Sequence, residues 1–276
     1  MANLISHITK KISKIFPAQF FTRPTVAVLP LQGVINANGG RDSLYVDLID
    51  QQLLMLKKIR GLKALALNIN CPGGAPAQAA LIGQSIRAAS TQHNVPVVAF
   101  VQDVAASGGY WLACVADQIY ADHNSIIGSI GVISASFGWP EFIKRHGIER
   151  RVHTSGTNKS WLDPFQAEKK EDVDRLLELQ SVIHENFKTH VRACRAKKLT
   201  APDDVLFNGE FWDGAQALEF GLIDGMSYLR RWAVAEFGAD VKLQSLAKPK
   251  KFWQNLLKLE LRTDELFNTH WQRFGL

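Results

Sequence analysis

One serine of this chain stands at a turn that suits a nucleophile. Ser107 follows an apolar run, residues 97–101, and precedes two glycines and an apolar helical pattern. This predicts a strand, a tight turn and a helix, with Ser107 at the turn. A serine there exposes its hydroxyl, and small neighbours let a substrate approach the backbone. The pattern also fits a serine that only caps the following helix, and on this stretch alone both interpretations stay open.

A second glycine-containing turn follows another apolar run. Residues 64–70 predict a buried strand, and Cys71-Pro72-Gly73-Gly74 ends it. In a parallel sheet the turns after neighbouring strands gather at one edge, where ligands bind. The amides of Gly73 and Gly74 can then face the Ser107 hydroxyl, and paired amides beside a nucleophile form an oxyanion hole. The two turns together indicate acyl-transfer chemistry.

A serine nucleophile needs a base, and the sequence offers two kinds. His123 and His153 are the histidines best placed for a Ser-His pair, although neither lies in a glycine-flanked loop that joins the two turns. Lys159 lies in a loop of small residues after a predicted strand. A lysine acts as a base only where an apolar site keeps its amine neutral. From spacing alone, an exposed loop lysine is the alternative interpretation.

Strand-like and helical stretches alternate along the chain, which predicts an α/β domain with a largely parallel sheet. The longest amphipathic stripe indicates one long helix, and Gly221 suits the C-cap of a short one. The segment 209–214 is expected to be a turn. The predicted strands are 25–35, 64–70, 97–101, 119–121 and 149–153, and the predicted helices are 43–59, 75–89, 139–146, 167–198 and 215–220.

Charge is concentrated at the two ends of the 276-residue chain. Of the net charge of +6, residues 1–23 carry +4 and residues 247–276 carry +3, so the body is close to neutral. A near-neutral body argues against nucleic acid as a partner. Both ends have apolar residues at helical spacing with bases between them, which suits an anionic membrane surface, a partner subunit or the chain's own core.

These patterns predict three parts: an amphipathic basic segment at 1–23, a catalytic domain at 24–226 and a helical extension at 227–276. No apolar run reaches the length of a membrane-spanning helix, and no clear signal peptide is evident, so we expect a peripheral membrane or cytoplasmic location. The three cysteines are too few and scattered for a disulfide framework or a metal cluster. We expect them to be buried thiols, and we expect neither a metal nor a cofactor.

Five ordered blocks of the sequence resemble the signal peptide peptidase A family, which includes protease IV and SohB. The resemblance runs from about residue 25 to 225 and implies a crotonase/ClpP-like α/β fold and a serine endopeptidase with a Ser–Lys dyad. The blocks are Asn-Ile-Asn-Cys-Pro-Gly-Gly at 68–74, Ala-Ser-Gly-Gly-Tyr at 106–110, Gly-Ser-Ile-Gly-Val at 128–132, Ser-Gly-Thr-Asn-Lys at 155–159 and the glycine-rich tail block at 209–224.

By this resemblance Ser107 is the nucleophile and Lys159 the general base. Ser129 would hydrogen-bond the lysine amine and so hold it in its neutral form. The sequence departs from the family at Cys71, where the family commonly has serine, and at residues 1–23, which are amphipathic where the family typically has a transmembrane anchor. The amides assigned to the oxyanion hole are those of Gly73, Gly74 and Gly108.

The resemblance also implies partners and substrates. Shorter members of the family assemble into homo-oligomeric rings in which a binding groove forms between neighbours. Apolar loops around residues 132–137 and 161–165 would favour extended apolar peptides, including signal-peptide remnants and unfolded segments. Two other functions remain as alternatives: a crotonase-type acyl-CoA enzyme, for which Asp103 is the only acid near the turns, and a non-catalytic membrane-associated scaffold.

Overall fold

The computed structural model describes residues 22–37, 43–156 and 158–247. Most of the basic amphipathic segment at 1–23 and of the basic end at 247–276 therefore lies outside the described residues. None of the helices in the described ranges combines the length and the hydropathy needed to cross a bilayer.

The described chain is built on one eight-stranded sheet whose strands are parallel to their neighbours with one exception. The exception is β8 (Phe211–Trp212), which runs antiparallel to β7 (Ile126–Gly128). The short strand β7 pairs in parallel with the end of β5 (Val97–Ala106). A separate short pair is formed by β2 (Val34–Ile35) and β3 (Ser43–Leu44). Across the main sheet the order is β10 (Lys242–Ser245), β1 (Thr25–Gln32), β4 (Leu62–Cys71), β5 (Val97–Ala106), β6 (Gln118–Ala121) and β9 (Gly225–Met226).

Helices cover both faces of this sheet. A 3₁₀ turn, Leu54–Lys58, follows the first helix, and another, Ala196–Lys198, follows the longest helix. The helices in chain order are α1 (Val46–Leu53), α2 (Pro76–His93), α3 (Gly108–Cys114), α4 (Pro140–Arg145), α5 (Lys170–Arg195), α6 (Asp203–Leu206), α7 (Gly214–Glu219) and α8 (Leu229–Phe237).

The alternation of side chains along β4 divides the interior into two cores. Leu65 and Leu67 lie in the larger core, together with buried residues of α2, α3 and α5. Ala64 and Ala66 lie in the smaller core, which α8 covers with Ala233. Each large side chain buried in this way contributes about 1.5–3 kcal/mol of transfer free energy. The predicted α/β class with a mostly parallel sheet is confirmed.

Two local predictions are wrong. Residues 149–153 form no strand, because they are exposed and no neighbouring strand is available for them to pair with. The segment 209–214, expected to be a turn, contains β8, which pairs with β7 beside the Ser107 turn. The predicted C-cap is confirmed: Gly221 has a φ of 74°, and α7 ends two residues before it.

The region after residue 226, predicted as a helical extension, is described as far as residue 247. It contains α8, which packs on the smaller core, and β10, which pairs in parallel with β1 over residues 25–28. This part of the chain therefore extends the sheet of the catalytic domain.

A contrasting segment, here called the arm, comprises residues 132–169. None of its described residues belongs to either buried core, and several of its large apolar side chains are exposed, including Ile133 at 88% and Phe137 at 77%. Local contacts hold it together: Trp139 stacks edge-on against Phe142, and Arg150 forms an ion pair with Asp163. The arm carries α4 and Lys159.

Candidate active site

Three strands of the sheet end at one place on its carboxyl edge. β4 runs into the turn with Gly73 and Gly74, β5 into Ser107, and β7 into Ser129. Parallel pairing brings these ends together, because Cys71 is aligned with Ala105 and Ala106 with Gly128. The fold therefore gathers the two glycine turns at one edge, as predicted, and it also brings the Ser129 segment to that edge.

Ser107 occupies a strained turn that leaves its hydroxyl available. Its φ of 51° and ψ of −122° are unusual for a residue with a side chain, and such strain is concentrated at functional sites. The backbone holds it there: the Ser107 amide donates to the Gly128 carbonyl over 2.8 Å, and the Ser107 carbonyl accepts from Tyr110. Ser107 is thus the N-cap residue of α3, but its side chain makes no capping hydrogen bond. The hydroxyl remains free to react.

The glycine turn after β4 presses directly against Ser107. A methyl group on Gly73 would lie 2.8 Å from the Ser107 Cβ, and one on Gly74 would lie 2.1 Å from the Ile35 carbonyl oxygen. Only glycine fits in this space, and the positive φ values of both residues also favour it. The carbonyl of Gly73 accepts from the Ile35 amide, which fixes the turn to β2.

Two amides face this space without a partner. A Cβ on Gly108 would lie 3.5 Å from the Gly74 nitrogen, so the two amides are close neighbours. Among the described residues, neither amide donates to a backbone carbonyl. The Gly108 amide is the first of α3, where helical amides have no partner within the helix. This pair matches an oxyanion hole beside a nucleophile.

Ser129 lies one residue after β7, next to the segment that holds Ser107. It also has a positive φ, 50°. Its amide donates to the Glu210 carbonyl over 2.6 Å, which ties it to the residue before β8. The β8 pairing missed by the sequence analysis therefore positions Ser129.

Lys159 is not brought to Ser107. It lies exposed in the arm, where its amide donates to the Gly156 carbonyl over 3.3 Å, and its side chain forms no ion pair with any described residue. The cavity beside Ser107 is not lined by Lys159. Within a single chain the predicted Ser107–Lys159 dyad is therefore not formed.

The alternative partners for Ser107 lie elsewhere. His123 and His153 are exposed and do not line the Ser107 cavity. Asp103, the acid considered for acyl-CoA chemistry, accepts a 2.6 Å hydrogen bond from Asn70 and also lies outside this cavity. Neither a Ser-His pair nor an acid opposite the amides is present among the described residues of the site.

An apolar cavity adjoining Ser107 was not anticipated from the sequence. Its walls come from α2, α3, α5 and the first residue of the arm, and its inner side chains include Trp111, Ile183 and Phe187. In the sequence, Phe187 and Ile183 showed only as part of the apolar stripe of a long helix. Nothing in that stripe indicated which turn of the helix would meet Ser107.

The cysteines play no visible part in this chemistry. Cys71 is buried below the glycine turn, and burial raises the pKa of its thiol to about 12, so it stays protonated at neutral pH. Cys114 is buried as well, whereas Cys194 is exposed, so the expectation of three buried thiols is wrong for Cys194.

A buried ion pair fixes the helix that begins at Ser107. The guanidinium of Arg195, fully buried, contacts Asp224 over 2.8 Å and donates to the Gly221 carbonyl. Tyr110, three residues after Ser107, donates its hydroxyl to the Leu222 carbonyl over 2.8 Å. The tail block at 209–224 thus holds α3 in place.

The charged groups of this cluster change the pKa of the Asp224 carboxyl. Burial raises the pKa of its carboxyl, but hydrogen bonds from Arg195, Lys198 and the Ile119 amide outweigh burial, so the pKa lies below its ordinary value. Asp224 is therefore ionised at neutral pH and stabilises the fold in that form.

Comparisons with known proteins identify the family of this chain. The sequence model of Peptidase family S49 matches residues 89–244, which is more than half of the chain. A protein of Brucella abortus named Na(+)/H(+) antiporter NhaA is 44% identical over 243 residues, which cover 87% of this chain and 33% of that protein. The chain thus spans about a third of the length of this relative.

Two further similarities concern a peptidase relative and a solved structure. A putative signal peptide peptidase SppA of Enterococcus faecium is 28% identical over 231 residues, covering 82% of this chain and 64% of that protein. The solved structure of a mutant of the 1510-N membrane-bound stomatin-specific protease superposes with a TM-score of 0.50 at 14% identity, covering 83% of this chain and all of that one. That structure supports the fold alone. With the family match over residues 89–244, these findings show that the chain belongs to peptidase family S49, a family of serine-type peptidases.

Proposed function

We propose that this protein is a serine endopeptidase in which Ser107 is the nucleophile and the amides of Gly74 and Gly108, with the turn at Gly73, form the oxyanion hole. The observation that carries the proposal is the free Ser107 hydroxyl on a strained turn beside two unpartnered amides. Family membership supports the same reaction.

The reaction proceeds through an acyl-enzyme. The neutral amine of Lys159 takes the Ser107 proton while the Ser107 oxygen attacks a peptide carbonyl carbon. The two amides stabilise the oxyanion of the tetrahedral intermediate. The Lys159 ammonium then gives its proton to the leaving nitrogen as the C–N bond breaks. A water, deprotonated by Lys159, attacks the ester, and Ser107 recovers its proton. Ser129 holds the amine by a hydrogen bond.

Assembly of several copies closes the dyad in this proposal. Lys159 is exposed on the arm, and the arm presents apolar residues such as Ile133 and Phe137 to solvent. Exposed apolar patches of this kind are typical of interaction surfaces. We therefore propose a homo-oligomeric ring in which contact between copies buries the arm and brings Lys159 to a Ser107 turn.

The substrates in this proposal are extended apolar peptides, including signal-peptide remnants and unfolded segments. The exposed apolar residues of the arm next to the Ser107 cavity support this class. The name of the Enterococcus faecium relative, putative signal peptide peptidase, agrees with it. The basic segment at 1–23 is proposed to contact anionic membranes. Flotation with anionic liposomes should then be lost when residues 1–23 are removed, and unchanged flotation would exclude that role.

Covalent labelling is the direct test of the nucleophile. A fluorophosphonate probe should label the wild-type protein, and mass-spectrometric mapping should place the label on Ser107. The Ser107→Ala variant should neither label nor cleave an apolar reporter peptide, whereas the matched Ser85→Ala variant on α2 should do both. Labelling at another residue, or full turnover by Ser107→Ala, would overturn the proposal.

Mixing inactive variants tests where the base comes from. If neighbouring copies complete the site, Ser107→Ala and Lys159→Ala proteins are each inactive alone, and a refolded mixture regains activity. Sedimentation velocity on the same samples measures the assembly. An active monomer, or a mixture that stays inactive although it assembles, would contradict closure between copies.

A further inference from the structure

One acidic side chain of the arm is almost completely buried, although the described part of the arm contributes no residue to either core. The side chain of Asp163 is 3% exposed, and Asp163 lies four residues after Lys159 in the sequence. Aspartate is rarely buried to this extent in proteins unless it is paired. The partners of Asp163 therefore indicate which part of the arm it holds in place.

Three donors converge on the Asp163 carboxylate. The Arg150 Nε–H donates to Oδ2 over 2.9 Å, and the Gln166 side-chain amide donates to the same oxygen over 3.3 Å. The Phe165 backbone amide donates to Oδ1 over 3.0 Å. The hydrogen bond from Phe165 and, after it, the Arg150 guanidinium outweigh the loss of solvent and keep the pKa of the Asp163 carboxyl below its ordinary value. Asp163 is therefore ionised at neutral pH, the form that accepts all three hydrogen bonds.

The ion pair of Arg150 with Asp163 closes the loop that carries Lys159. The two residues lie 13 positions apart, and Lys159 lies between them in the sequence. The Arg150 guanidinium also lies over the Phe165 ring, 4.8 Å from its centroid, so it contacts two residues at the end of the loop. Joining the ends of a loop reduces the number of conformations that the residues between them can adopt. The ion pair therefore restricts the position of Lys159.

A second contact ties the same loop to α5. The Leu162 amide donates over 3.1 Å to the carboxylate of Asp172, which lies in the first turn of α5. Leu162 has a positive φ of 52°, a conformation that costs energy for a residue with a side chain and persists only where its surroundings impose it. The second half of α5 packs against α3, the helix that Ser107 begins. The Lys159 loop and the Ser107 turn are thus attached to the same helix.

The side chain of Lys159 depends on these backbone contacts for its position. It is exposed, and the Lys159 amide donates to the Gly156 carbonyl over 3.3 Å. The loop is therefore fixed by this turn on one side of the lysine and by Asp163 on the other. A general base has to come within hydrogen-bond reach of the proton that it takes. A misplacement of about 1 Å can lower a rate by about 10²-fold, so the anchor at Asp163 matters for the chemistry.

We propose that Asp163 is a positioning residue for Lys159 in the assembled protein. Its carboxylate and the Arg150 guanidinium close the loop from which the Lys159 amine reaches a Ser107 hydroxyl. In this role Asp163 contacts neither the substrate nor the reacting atoms, and it acts through the lysine. The proposal rests on the proposed function, since it concerns the base of the same site.

Steady-state kinetics of the assembled protein test this role. Asp163→Ala should lower kcat on an apolar reporter peptide by about 10–100-fold and leave KM unchanged, because the lysine takes a proton and does not bind the peptide. Asp163→Asn keeps an oxygen that accepts from the Phe165 amide but loses the charge, so its loss of kcat should be smaller. Glu149→Ala removes an exposed carboxylate of the arm that pairs with Arg151, and as the matched control it should keep the wild-type kcat. Wild-type kcat in Asp163→Ala, or a rise in KM that accounts for the loss of kcat/KM, would overturn the proposal.

A double-mutant cycle distinguishes positioning of Lys159 from a general structural role. The readout is the rate at which a fluorophosphonate probe labels Ser107, which can be followed over hours in slow variants. If Asp163 acts only through the lysine, Asp163→Ala should cause no further loss in the Lys159→Ala background. Additive losses would show that Asp163 supports other parts of the site and would overturn the proposal. Sedimentation velocity should give wild-type assembly for Asp163→Ala, and dissociation of this variant would assign Asp163 to the contact between copies instead.

The same variants separate failure of this inference from failure of the proposed function. Full activity of Asp163→Ala beside inactive Ser107→Ala and Lys159→Ala proteins leaves the Ser–Lys peptidase intact and overturns only the positioning role. Full activity of Lys159→Ala contradicts the base of the proposed function and this inference with it. Loss of kcat in Asp163→Ala and in Lys159→Ala, without a further loss of labelling rate in the double variant, supports the inference.

Discussion

The Ser107 turn and the arm that carries Lys159 are built in opposite ways. Ser107 lies at the end of a central strand, and hydrogen bonds to Gly128 and Tyr110 hold its backbone. Lys159 lies in a segment that contributes nothing to either buried core and exposes Ile133 and Phe137. One half of the proposed dyad is thus preorganised by the sheet, whereas the other half lies exposed on the arm. The comparison predicts that damage at the two places has different consequences.

The largest loss of activity should come from a substitution in the arm. This substitution should leave the stability of the protein unchanged. In the proposed mechanism Lys159 is the proton acceptor, so Lys159→Ala should lower kcat/KM by about 10²–10⁴-fold, the range for loss of a general base. Thermal unfolding should not change, since Lys159 is exposed. Lys144→Ala, on α4 of the same arm, is the matched control and should keep activity. Full activity of Lys159→Ala would remove the lysine from the mechanism.

The second-largest loss of activity should come from a substitution in the glycine turn that contacts Ser107. A methyl group on Gly74 would clash with the Ile35 carbonyl at 2.1 Å, so Gly74→Ala should displace an oxyanion-hole amide and lower kcat by about 10²–10³-fold. On the arm, Gly138 has free space around it, with only a Pro140 atom at 3.7 Å, and Gly138→Ala should leave kcat unchanged. An equal loss of kcat in both variants would show that the Ser107 turn and the arm are equally sensitive to an added methyl group.

Stability should depend on the ion pair behind the site and not on one in the arm. Breaking a buried pair costs about 3–5 kcal/mol, so Asp224→Asn should lower the free energy of unfolding in urea by an amount of this order, because it leaves buried Arg195 without its partner. Glu149→Gln, which breaks the exposed pair with Arg151, should have no measurable effect. A neutral result for Asp224→Asn would contradict the structural role of the tail block.

The same carboxylate predicts how stability changes with pH. Because the pKa of Asp224 is lower in the folded state than its ordinary value of 3.8, its ionised form stabilises the protein at pH values above that value. This contribution should be lost as the pH falls below 3.8 and through the lower folded pKa. The stability difference between wild type and Asp224→Asn should therefore shrink in acid when urea unfolding is repeated along a pH series. A stability difference that stays constant along the pH series would contradict this role of the Asp224 carboxylate.

The smallest effect on the single chain should come from the apolar surface of the arm. Replacing Ile133 and Phe137 together by serine should change the stability of one chain by no more than about 0.5 kcal/mol, as is usual for surface positions. The sedimentation coefficient should nevertheless fall, because the proposed contact between copies would be weakened. Loss of stability without a change in assembly would show that the arm packs within its own chain.

Local patterns were enough to predict most of the elements that position the site. The apolar runs before Gly73 and Ser107 predicted β4 and β5, and the long stripe predicted α5 within a few residues of its ends. The prediction failed where pairing depends on a distant partner. Phe211 and Trp212 form β8 only because β7 lies beside them, and residues 149–153 remain irregular because no strand is available to pair with them.

The sequence by itself determined the turn at Ser107, because a strand, small residues and two glycines around it encode a local geometry. It also determined that the Gly73–Gly74 turn lies at the same edge, since parallel strands end together. Only the tertiary structure decided what surrounds Ser107. Phe187 and Ile183 reach the cavity through the packing of α5, far along the chain from Ser107, and Lys159 stays exposed because the arm has no core of its own. Contacts between segments far apart in sequence depend on packing, which local patterns do not record.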